Sequence, residues 1–583
     1  MTVEKLITDH IDIWSSALQT RSTAGRGSNG KIDLYGIKKL RELILELAVR
    51  GKLAPQDPND EPASELLKRI AAEKAELVRQ GKIKKQKPLP EISEDEKPFE
   101  LPEGWEWVRL GELFNSIASG GTPSKSNPDF WNGDIPWASV KDLGKEKYIA
   151  KTQDYISHLG LKAGSKLADE GDILICTRMG LGKIGIASRP VAFNQDLKSV
   201  KLTSSVSLDF FFNTYSTVKI KGTGTTVEGI KQEQLLNYVI GLPTVNEQHQ
   251  IVEKVDELMS LCDQLEQQSL TSLDAHQQLV ETLLATLTDS QNAEELAENW
   301  VRISQHFDTL FTTEASIDAF KQTILQLAVM GKLVPQDPND EPASELLKRI
   351  EQEKAQLVKE GKIKKQKPLP PVSDEEKPFE LPVGWVWARV GDILSLKNGY
   401  AFKSNYFVDS KRKHVLTTPG NFYETGGFRY RGGKTKYYDG PLNEEFILRF
   451  GDLMIPMTEQ APGLLGSAAF IPKDEHIYLH NQRLGKLELY NEGITSDFIF
   501  WFFNSQLLRV ELARTCTGTT VRHTSPDRVL NALVPVVPSN EQLRITAKIN
   551  KLMLLCDALK SRLQSAQQTK LYLADALTDA ALS

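Results

Sequence analysis

The chain of 583 residues has a formal net charge of −6, with 40% hydrophobic and 25% charged residues. These values are ordinary for a globular protein, and the length allows about three to five domains. No apolar run approaches a membrane span and the N-terminus lacks a signal peptide's apolar core, so the sequence predicts a cytoplasmic protein without a membrane partner. The four cysteines include no CxxC pair, which favours neither a zinc site nor a disulfide framework.

The N-terminal region, residues 1–102, is predicted to be helical. Apolar residues at near-helical spacing predict an amphipathic helix over 3–19, and the Gly/Ser-rich stretch 20–30 predicts a flexible linker. Two further helices are predicted over 37–50 and 62–80, separated by a turn rich in Pro, Asp and Asn.

Part of this region occurs twice in the chain. Residues 51–70 and 331–350 differ at one position, and GKIKKQKPLP at 81–90 recurs unchanged at 361–370. The two copies are offset by 280 residues, as residue 331 stands against residue 51. A repeat of this length is neither a solenoid unit nor a propeller blade, so it predicts a duplicated half-protein.

Residues 103–243 and 383–537 have a different character. Helical periodicity gives way to short β-rich runs between Gly, Pro and Asn turns, such as GDILICT at 171–177 and GDLMIPM at 451–457. These segments predict two mixed α/β domains.

The two segments share a framework but differ in their loops. Shared motifs align at offsets of 280, 287 and then 294, so the second segment has gained about seven residues twice, which we expect to lie in loops. The stretch 119–137 has no counterpart in 398–416.

A long helix is predicted after each α/β segment. One covers 246–289 in the central region 244–382, and the other lies in the C-terminal region 538–583. Each carries an apolar stripe with steps of four and three: Ile251, Val255, Leu258, Cys262 and Leu265, and Ile545, Ile549, Leu552, Cys556 and Leu559. About 40 helical residues make a rod of roughly 60 Å. We expect antiparallel pairing, with the halves related by a pseudo-two-fold axis, in an α/β (α+β) fold.

Motifs for catalysis are missing from the sequence. It contains neither the Gly-rich cofactor loop nor the NPP[FY] motif of an adenine methyltransferase, and no P-loop, HExxH or GxSxG motif. His10 and His306 match between the copies and are predicted to fix helix packing rather than bind metal. The sequence therefore predicts a non-catalytic reader without a metal site.

The strongest binding signal lies between residues 411 and 438. Seven basic residues stand there against one acid, Glu424, with aromatic residues interleaved. A DNA reader needs basic side chains at phosphates and Arg or aromatic groups at base edges. The predicted contacts are Lys411, Arg412, Lys413, Arg429, Tyr430, Arg431, Lys434 and Lys436.

Arg429 and Arg431 are two residues apart, so in a strand both would point to one face and read bases. Lys411 and Lys413 are predicted phosphate contacts. The alternative is a solvated basic loop over an aromatic core, with both arginines paired to surface acids.

Weaker signals complete the predicted interface. In the first α/β segment, the predicted contacts are Thr122, Ser124, Lys125, Trp131, Trp137, Arg178 and Lys183. The matching TGTTV motifs add Thr225, Thr226, Thr519 and Thr520, followed by Arg522. Arg178 could equally be structural, and the threonines could cap a turn instead of touching phosphate.

Taken together, these motifs resemble one family. Each α/β segment opens on GWxWxxxG and closes on LPTVNEQ or VPSNEQ before a long helix. This arrangement resembles the specificity subunit of Type I restriction–modification enzymes, and GGTPSKSNPDFWNGDIPW resembles a target-recognition motif of that family. The resemblance covers nearly the whole chain.

The resemblance implies two target-recognition domains that each read one half of a bipartite, asymmetric sequence in double-stranded DNA. The helices would set the spacing and recruit two methyltransferase subunits, and motor–endonuclease subunits would join them. S-adenosylmethionine, ATP and Mg would be bound by those partners, with no cofactor on this chain. Two alternatives stay open: the recognition subunit of a modification-only system, and a duplicated protein-binding scaffold that never touches DNA.

Overall fold

A computed structural model of the chain describes residues 3–21, 31–144, 146–223, 228–363, 365–459, 461–518 and 522–583. The chain forms two compact units. The first consists of Met1–Leu18, Leu34–Leu270 and Thr569–Ser583, and the second of Gln19–Asp33 and Thr271–Gln568. Among the described residues, no helix has both the length and the apolar character that a membrane span requires.

The N-terminal helix is broken, contrary to the prediction of one helix over 3–19. Helices α1 (Val3–Asp9) and α2 (Ile11–Ser16) meet at His10, whose backbone carbonyl accepts hydrogen bonds from the amides of Ile13 and Trp14. Trp14 is fully buried. The apolar spacing continues through the break, so periodicity alone could not reveal it.

Two short strands, β1 (Gln19–Arg21) and β2 (Lys31–Asp33), pair antiparallel at the ends of the predicted linker. Residues 22–30 of that linker lie outside the described residues. Helices α3 (Tyr35–Val49) and α4 (Ala63–Arg79) follow, close to the predicted bounds.

The first α/β segment is built from short strands and short helices. In chain order these are β3 (Glu106–Arg109), α5 (Leu110–Leu113), β4 (Phe114–Ser119), β5 (Ile135–Ala138), β6 (Tyr148–Ile149), β7 (Asp154–Ile156), α6 (His158–Gly164), β8 (Lys166–Ala168), β9 (Ile173–Cys176), β10 (Ile184–Ala187), β11 (Val191–Phe193), β12 (Leu197–Leu202), α7 (Leu208–Thr217), α8 (Gln232–Asn237) and β13 (Val239–Leu242). A five-stranded sheet has the order β4-β12-β9-β10-β6, and a four-stranded sheet the order β7-β5-β11-β8. The antiparallel pair β3–β13 joins the two ends of the segment.

The long helix α9 (Val245–Asp289) begins in the first unit and ends in the second. Its predicted stripe from Ile251 to Leu265 is buried, and Val280, Leu284 and Leu287 are buried near its end. Between Leu265 and Val280 no residue of the helix is buried. The helix is thus packed at both ends and exposed in its middle.

The second unit repeats the helical region. Helices α10 (Ala293–Gln305) and α11 (Phe307–Leu310) are separated at His306, as α1 and α2 are at His10. The carbonyl of His306 accepts hydrogen bonds from the amides of Thr309 and Leu310. Helices α12 (Glu314–Val329) and α13 (Ala343–Lys359) follow.

The second α/β segment has the same framework. Its elements are β14 (Val386–Arg389), α14 (Val390–Ile393), β15 (Leu394–Asn398), β16 (Phe407–Val408), β17 (His414–Thr417), β18 (Tyr437–Tyr438), β19 (Ile447–Leu448), β20 (Leu453–Pro456), β21 (Thr458–Glu459), β22 (Ala469–Phe470), β23 (Ile477–His480), β24 (Leu484–Leu489), α15 (Ser496–Phe503), α16 (Gln506–Thr515), β25 (Arg522–His523), α17 (Pro526–Asn531) and β26 (Leu533–Val536). One sheet has the order β15-β24-β20-β22, which matches β4-β12-β9-β10 of the first unit. A second sheet has the order β16-β18-β17-β23-β19, and β14 pairs with β26.

The two α/β segments differ in two helices. Helix α6 of the first segment has no α-helical counterpart between β18 and β19 of the second, and the second segment has an additional helix after β24. The stretch from Leu202 to Thr223 contains α7, whereas the corresponding stretch from Leu489 to Thr517 contains both α15 and α16. The second gain of seven residues therefore comes with a helix, and the expectation that it lies in a loop is wrong.

The last helix, α18 (Ser539–Leu582), begins in the second unit and ends in the first. In the second unit its buried residues Ile545, Ile549 and Cys556 share one hydrophobic core with Val280 and Leu284 of α9.

In the first unit, α3 contacts both long helices. Arg41 pairs with Asp263 of α9, and Tyr35 donates a hydrogen bond of 2.7 Å to Asp575 of α18. The predicted mixed α/β domains and paired long helices are thereby confirmed, while the pseudo-two-fold axis stays a prediction.

Candidate nucleic-acid interface

In the first unit, the loop between β4 and β5 folds over its own tryptophans. Trp131 donates to the carbonyl of Ser124 at 3.1 Å, Trp137 donates to the carbonyl of Gly121 at 3.2 Å, and the rings meet edge to face at 5.0 Å. Trp137 is only 5% exposed and packs with Ile156. Trp137 is therefore a core residue, which corrects its prediction as a DNA contact.

The rest of this loop presents polar groups at the surface. The Thr122 hydroxyl donates to the side chain of Gln195, and Ser124 and Ser126 share a hydrogen bond of 2.8 Å. Lys125 is exposed. The buried indole of Trp137 anchors this loop, and it therefore holds the backbone beneath these polar side chains in place.

A second loop of the first unit joins β9 to β10. Arg178 is 55% exposed, and its guanidinium lies 3.9 Å from the Asp196 carboxylate. Lys183 is exposed, and its Nζ lies 3.4 Å from the carbonyl of Val140. Both cations can reach an anion at the surface, since neither is held in a short ion pair.

In the second unit, the basic segment is less positive than the sequence indicates. Four of its seven basic side chains pair with acids: Lys411 with Glu475, Arg412 with Asp439, Lys436 with Asp409 and Arg429 with Glu424. Of these acids, only Glu424 lies within the stretch 411–438. Asp409 and Asp439 lie just outside it, and Glu475 is brought to Lys411 from a distant part of the chain. Lys413 and Lys434 are exposed cations in the same segment.

Arg429 and Arg431 do not lie on a strand, so the expectation that a strand aligns both side chains on one face is wrong, whereas base reading stays a prediction. Arg429 lies in a loop, bonded to Glu424 and stacked over the Tyr423 ring at 4.5 Å. Nη1 of Arg431 is 3.4 Å from Oγ1 of Thr418. Arg429 therefore matches the alternative in which the arginine pairs with an acid of the domain surface. No acid pairs with Arg431 among the ion pairs of the described residues.

Tyr430 lies between the two arginines, and its side chain is 64% exposed. Partial desolvation and, next, the negative charge of Asp474 raise the pKa of its hydroxyl. The predicted contacts Thr225, Thr226, Thr519 and Thr520 lie outside the described residues.

The segments beside those threonines are equivalent in the two units. Arg178 forms a β-bridge with Gly229, and Thr458 pairs with His523 in the same way. One residue further along, the second unit has the ion pair Glu459–Arg522 at 2.5 Å, with a buried carboxylate. The first unit has Met179 and Glu228 at these positions.

Sequence reasoning missed Glu459 and Arg509, which lie deeper in the second unit. Arg509 of α16 is mostly buried, and burial lowers the pKa of its guanidinium to about 10 against the opposing effect of Glu424 and Glu459. Together with Tyr423 and Arg522, these groups line a cleft of about 810 Å³. No sequence signal marks Arg509, because α16 belongs to the stretch that the first unit lacks.

Fold and surface together define a class of protein: two α/β domains on one framework, with different polar and cationic loops, each followed by a long helix. A family model described as "Type I restriction modification DNA specificity domain" matches residues 102–275 and 382–567. The chain belongs to this family of Type I restriction–modification specificity subunits.

Two relatives match over the full length of both chains. The identity is 50% with the Type I restriction enzyme EcoAI specificity subunit and 48% with the EcoEI specificity subunit, both of Escherichia coli. A solved structure described as "Structural basis underlying complex assembly and conformational transition of the type I R-M system" aligns with 83% of this chain and 99% of its own, at 17% identity and a TM-score of 0.46.

The family assignment made from the sequence is therefore confirmed. The chain is the non-catalytic recognition subunit of a Type I restriction–modification system, and it carries two target-recognition domains.

Proposed function

We propose that the chain reads double-stranded DNA in the cytoplasm, with domains 103–243 and 383–537 each recognising one half of a bipartite, asymmetric sequence. The observation that carries the proposal is the double match to the DNA specificity domain at 102–275 and 382–567. The two domains keep the same strand order but differ in their loops. A shared framework with different loops suits two independent readers with different targets.

The long helices are proposed to set the spacing between the half-sites. Helix α9 has 45 residues and α18 has 44, so each is about 65 Å long at 1.5 Å per residue. Each begins in one unit and ends in the other, with an exposed middle. A rigid rod between two readers is suited to fix the number of base pairs between their targets.

Two copies of one modification subunit are proposed to bind the duplicated helical regions, with motor–endonuclease subunits joining that complex. The support is an identical surface on α4 and α13. Glu65, Lys68 and Arg69 are exposed, and so are their counterparts Glu345, Lys348 and Arg349.

Later on the same helices the exposed residues differ, as Ala71 is replaced by Glu351. Folding does not require identity at exposed helix positions, so the identical surface fits a shared partner. S-adenosylmethionine, ATP and Mg are proposed to be bound by these partner subunits.

A domain exchange tests the proposal. Residues 103–243 are replaced by the first domain of another family member, and the sequence methylated in cells is read by methylation-sensitive sequencing. We expect one half of the target to change, and the matched exchange of 383–537 should change the other half. A change in both halves after one exchange would contradict independent reading.

DNA binding itself is measured on the complex with its modification subunits. The complex should bind the sequence that is methylated in cells more tightly than a scrambled duplex. Its affinity should fall as the salt concentration rises, because phosphate contacts release counterions. Equal affinity for both duplexes would overturn the proposal in favour of a protein-binding scaffold.

A further inference from the structure

Met179 has an unusual backbone conformation. Among the described residues it is the one non-glycine residue with a positive φ, at 60°. This conformation is sterically unfavourable for a side chain with a Cβ, and such residues cluster at functional sites. The side chain of Met179 is 66% exposed, so burial of the thioether does not offset the strain.

The backbone around Met179 is held on several sides. The Met179 amide donates to the carbonyl of Glu228 at 3.2 Å, and the Thr177 amide donates to that of Asp196 at 2.8 Å. The Lys183 amide donates to the carbonyl of Gly180 at 3.1 Å, which closes the loop. A tip fixed in this way presents its side chain without a further loss of backbone entropy on binding.

Two cations flank this apolar tip. Arg178 is more than half exposed, and Lys183 lies at the far end of the loop. Cations of this kind suit phosphate groups, which position a protein on DNA but carry no sequence information. Met179 offers a different chemistry, because the contacts of a thioether side chain are mainly apolar.

The equivalent position in the second domain is occupied differently. There, Glu459 is buried and paired with Arg522, although the strand pairing around both positions is the same. The framework therefore does not require an exposed methionine at this position. A residue that differs at an otherwise shared position is suited to set the difference in target between the domains.

We propose that Met179 is a specificity-determining residue that contacts the 5-methyl group of a thymine in the half-site read by the first domain. The proposal rests on the DNA-reading function proposed above. The thymine methyl is the apolar group that base edges offer in the major groove, and it matches an exposed apolar tip between two cations. Arg178 and Lys183 contact phosphates on either side.

The test pairs a protein variant with a DNA variant. The full chain in complex with its modification subunits binds duplexes in which each thymine of the half-site is replaced, one at a time, by deoxyuridine. We expect one replacement to weaken wild-type binding by about fourfold, the effect of one buried methyl group. Met179→Gly should lose the same affinity on the normal duplex and show no further loss with that deoxyuridine.

Glycine makes this variant informative, because it adopts a φ of 60° without strain. The thermal stability of Met179→Gly should therefore equal or exceed that of the wild type, which separates lost contact from lost fold. Leu159→Ala is the matched control, since Leu159 of α6 is an exposed apolar residue of the same domain. It should change neither the affinity nor the response to deoxyuridine.

The outcomes are distinguishable. Three outcomes would overturn the role of Met179 and leave the DNA-reading function intact. They are a Met179→Gly variant that binds with wild-type affinity, an equal response of both proteins to every deoxyuridine, and a half-site that contains no thymine. A wild-type complex that does not discriminate its own sequence would overturn both.

Discussion

The indole Nε1 of Trp105 donates a hydrogen bond of 2.7 Å to the buried carboxylate of Glu247. Trp385 makes the same bond to Glu541 at 2.8 Å in the second unit. Each tryptophan begins an α/β segment and each glutamate lies in the first turn of the long helix that follows. The bond therefore links each target-recognition domain to its own long helix. A change in the angle between the two would move the loops that we propose to contact DNA.

The first prediction concerns the pH dependence that these two buried glutamates confer on the stability of the fold. Burial raises the pKa of Glu247 and of Glu541 above the ordinary value, despite the hydrogen bonds that they accept. The folded state then binds the proton more tightly than the unfolded state, so these groups destabilise the fold increasingly as pH rises from the unfolded pKa through the folded pKa.

Glu247→Gln keeps an acceptor for Trp105 and removes the charge. The variant's melting temperature should exceed that of the wild type at pH 8, and this difference should shrink as the pH is lowered towards about 4.5. Thermal unfolding of both proteins across this range gives the measurement. An advantage that does not vary with pH would contradict the prediction.

Glu96→Gln is a control of opposite sign. The hydrogen bond from Arg109 lowers the pKa of Glu96 to about 2. The stabilisation by Glu96 is present above the unfolded pKa and is lost as the pH falls towards 2. The melting temperature of Glu96→Gln should therefore lie below that of the wild type at pH 8, and the two values should converge in acid.

The basic segment shows what the sequence could and could not predict. The interleaved aromatic and basic residues predict a DNA-contacting segment, with a solvated basic loop over an aromatic core as the alternative. The structure buries Phe422 and Tyr438 of this segment, and DNA contact stays a prediction. The charge count fails because folding brings Asp409, Asp439 and Glu475 beside three of the cations. By contrast, the long helices follow from local spacing alone, since their stripes need no distant residue to be recognised.

Trp137 and Met179 illustrate the same limit at single residues. The loop composition around Trp137 suggests a surface, but the indole is buried by contacts from Gly121 and Ile156, which are distant in sequence. Met179 carries no signal in the sequence, because a positive φ arises from the hydrogen bonds of the folded loop.

The second prediction separates the two arginines of the basic segment. Arg431→Ala should relax specificity at one position of the half-site read by 383–537, by about 1–3 kcal/mol for a paired guanine. Arg429→Ala is the control, since the guanidinium of Arg429 is already engaged by Glu424 and Tyr423. Methylation-sensitive sequencing of cells that express each variant gives the readout, and a sequence unchanged by Arg431→Ala would refute the assignment.

The third prediction counts partner subunits. Lys68→Glu reverses a charge on the identical surface of α4, and Lys348→Glu does the same on α13. Each single variant should bind one modification subunit per chain and the double variant none, as measured by the mass of the purified complex. Ala71→Glu introduces the residue that α13 already has at this position, and it should leave two subunits bound. Two subunits on the double variant would place the docking surface elsewhere.

The last prediction tests whether the helices set the spacing of the half-sites. Residues 267–273 of α9 and 561–567 of α18 lie in stretches without buried residues, so their joint removal spares the packed ends of both helices. Seven residues shorten a helix by about 10 Å, roughly three base pairs of duplex, and a heptad nearly preserves the rotation between the ends. On duplexes of graded spacer length, the shortened chain in its complex should prefer a spacer about three base pairs shorter, with both half-sequences unchanged. Because removal of three residues would rotate one end by roughly 60° relative to the other, that deletion should abolish binding at every spacer length. If the seven-residue deletion still prefers the original spacer, the helices do not set the spacing.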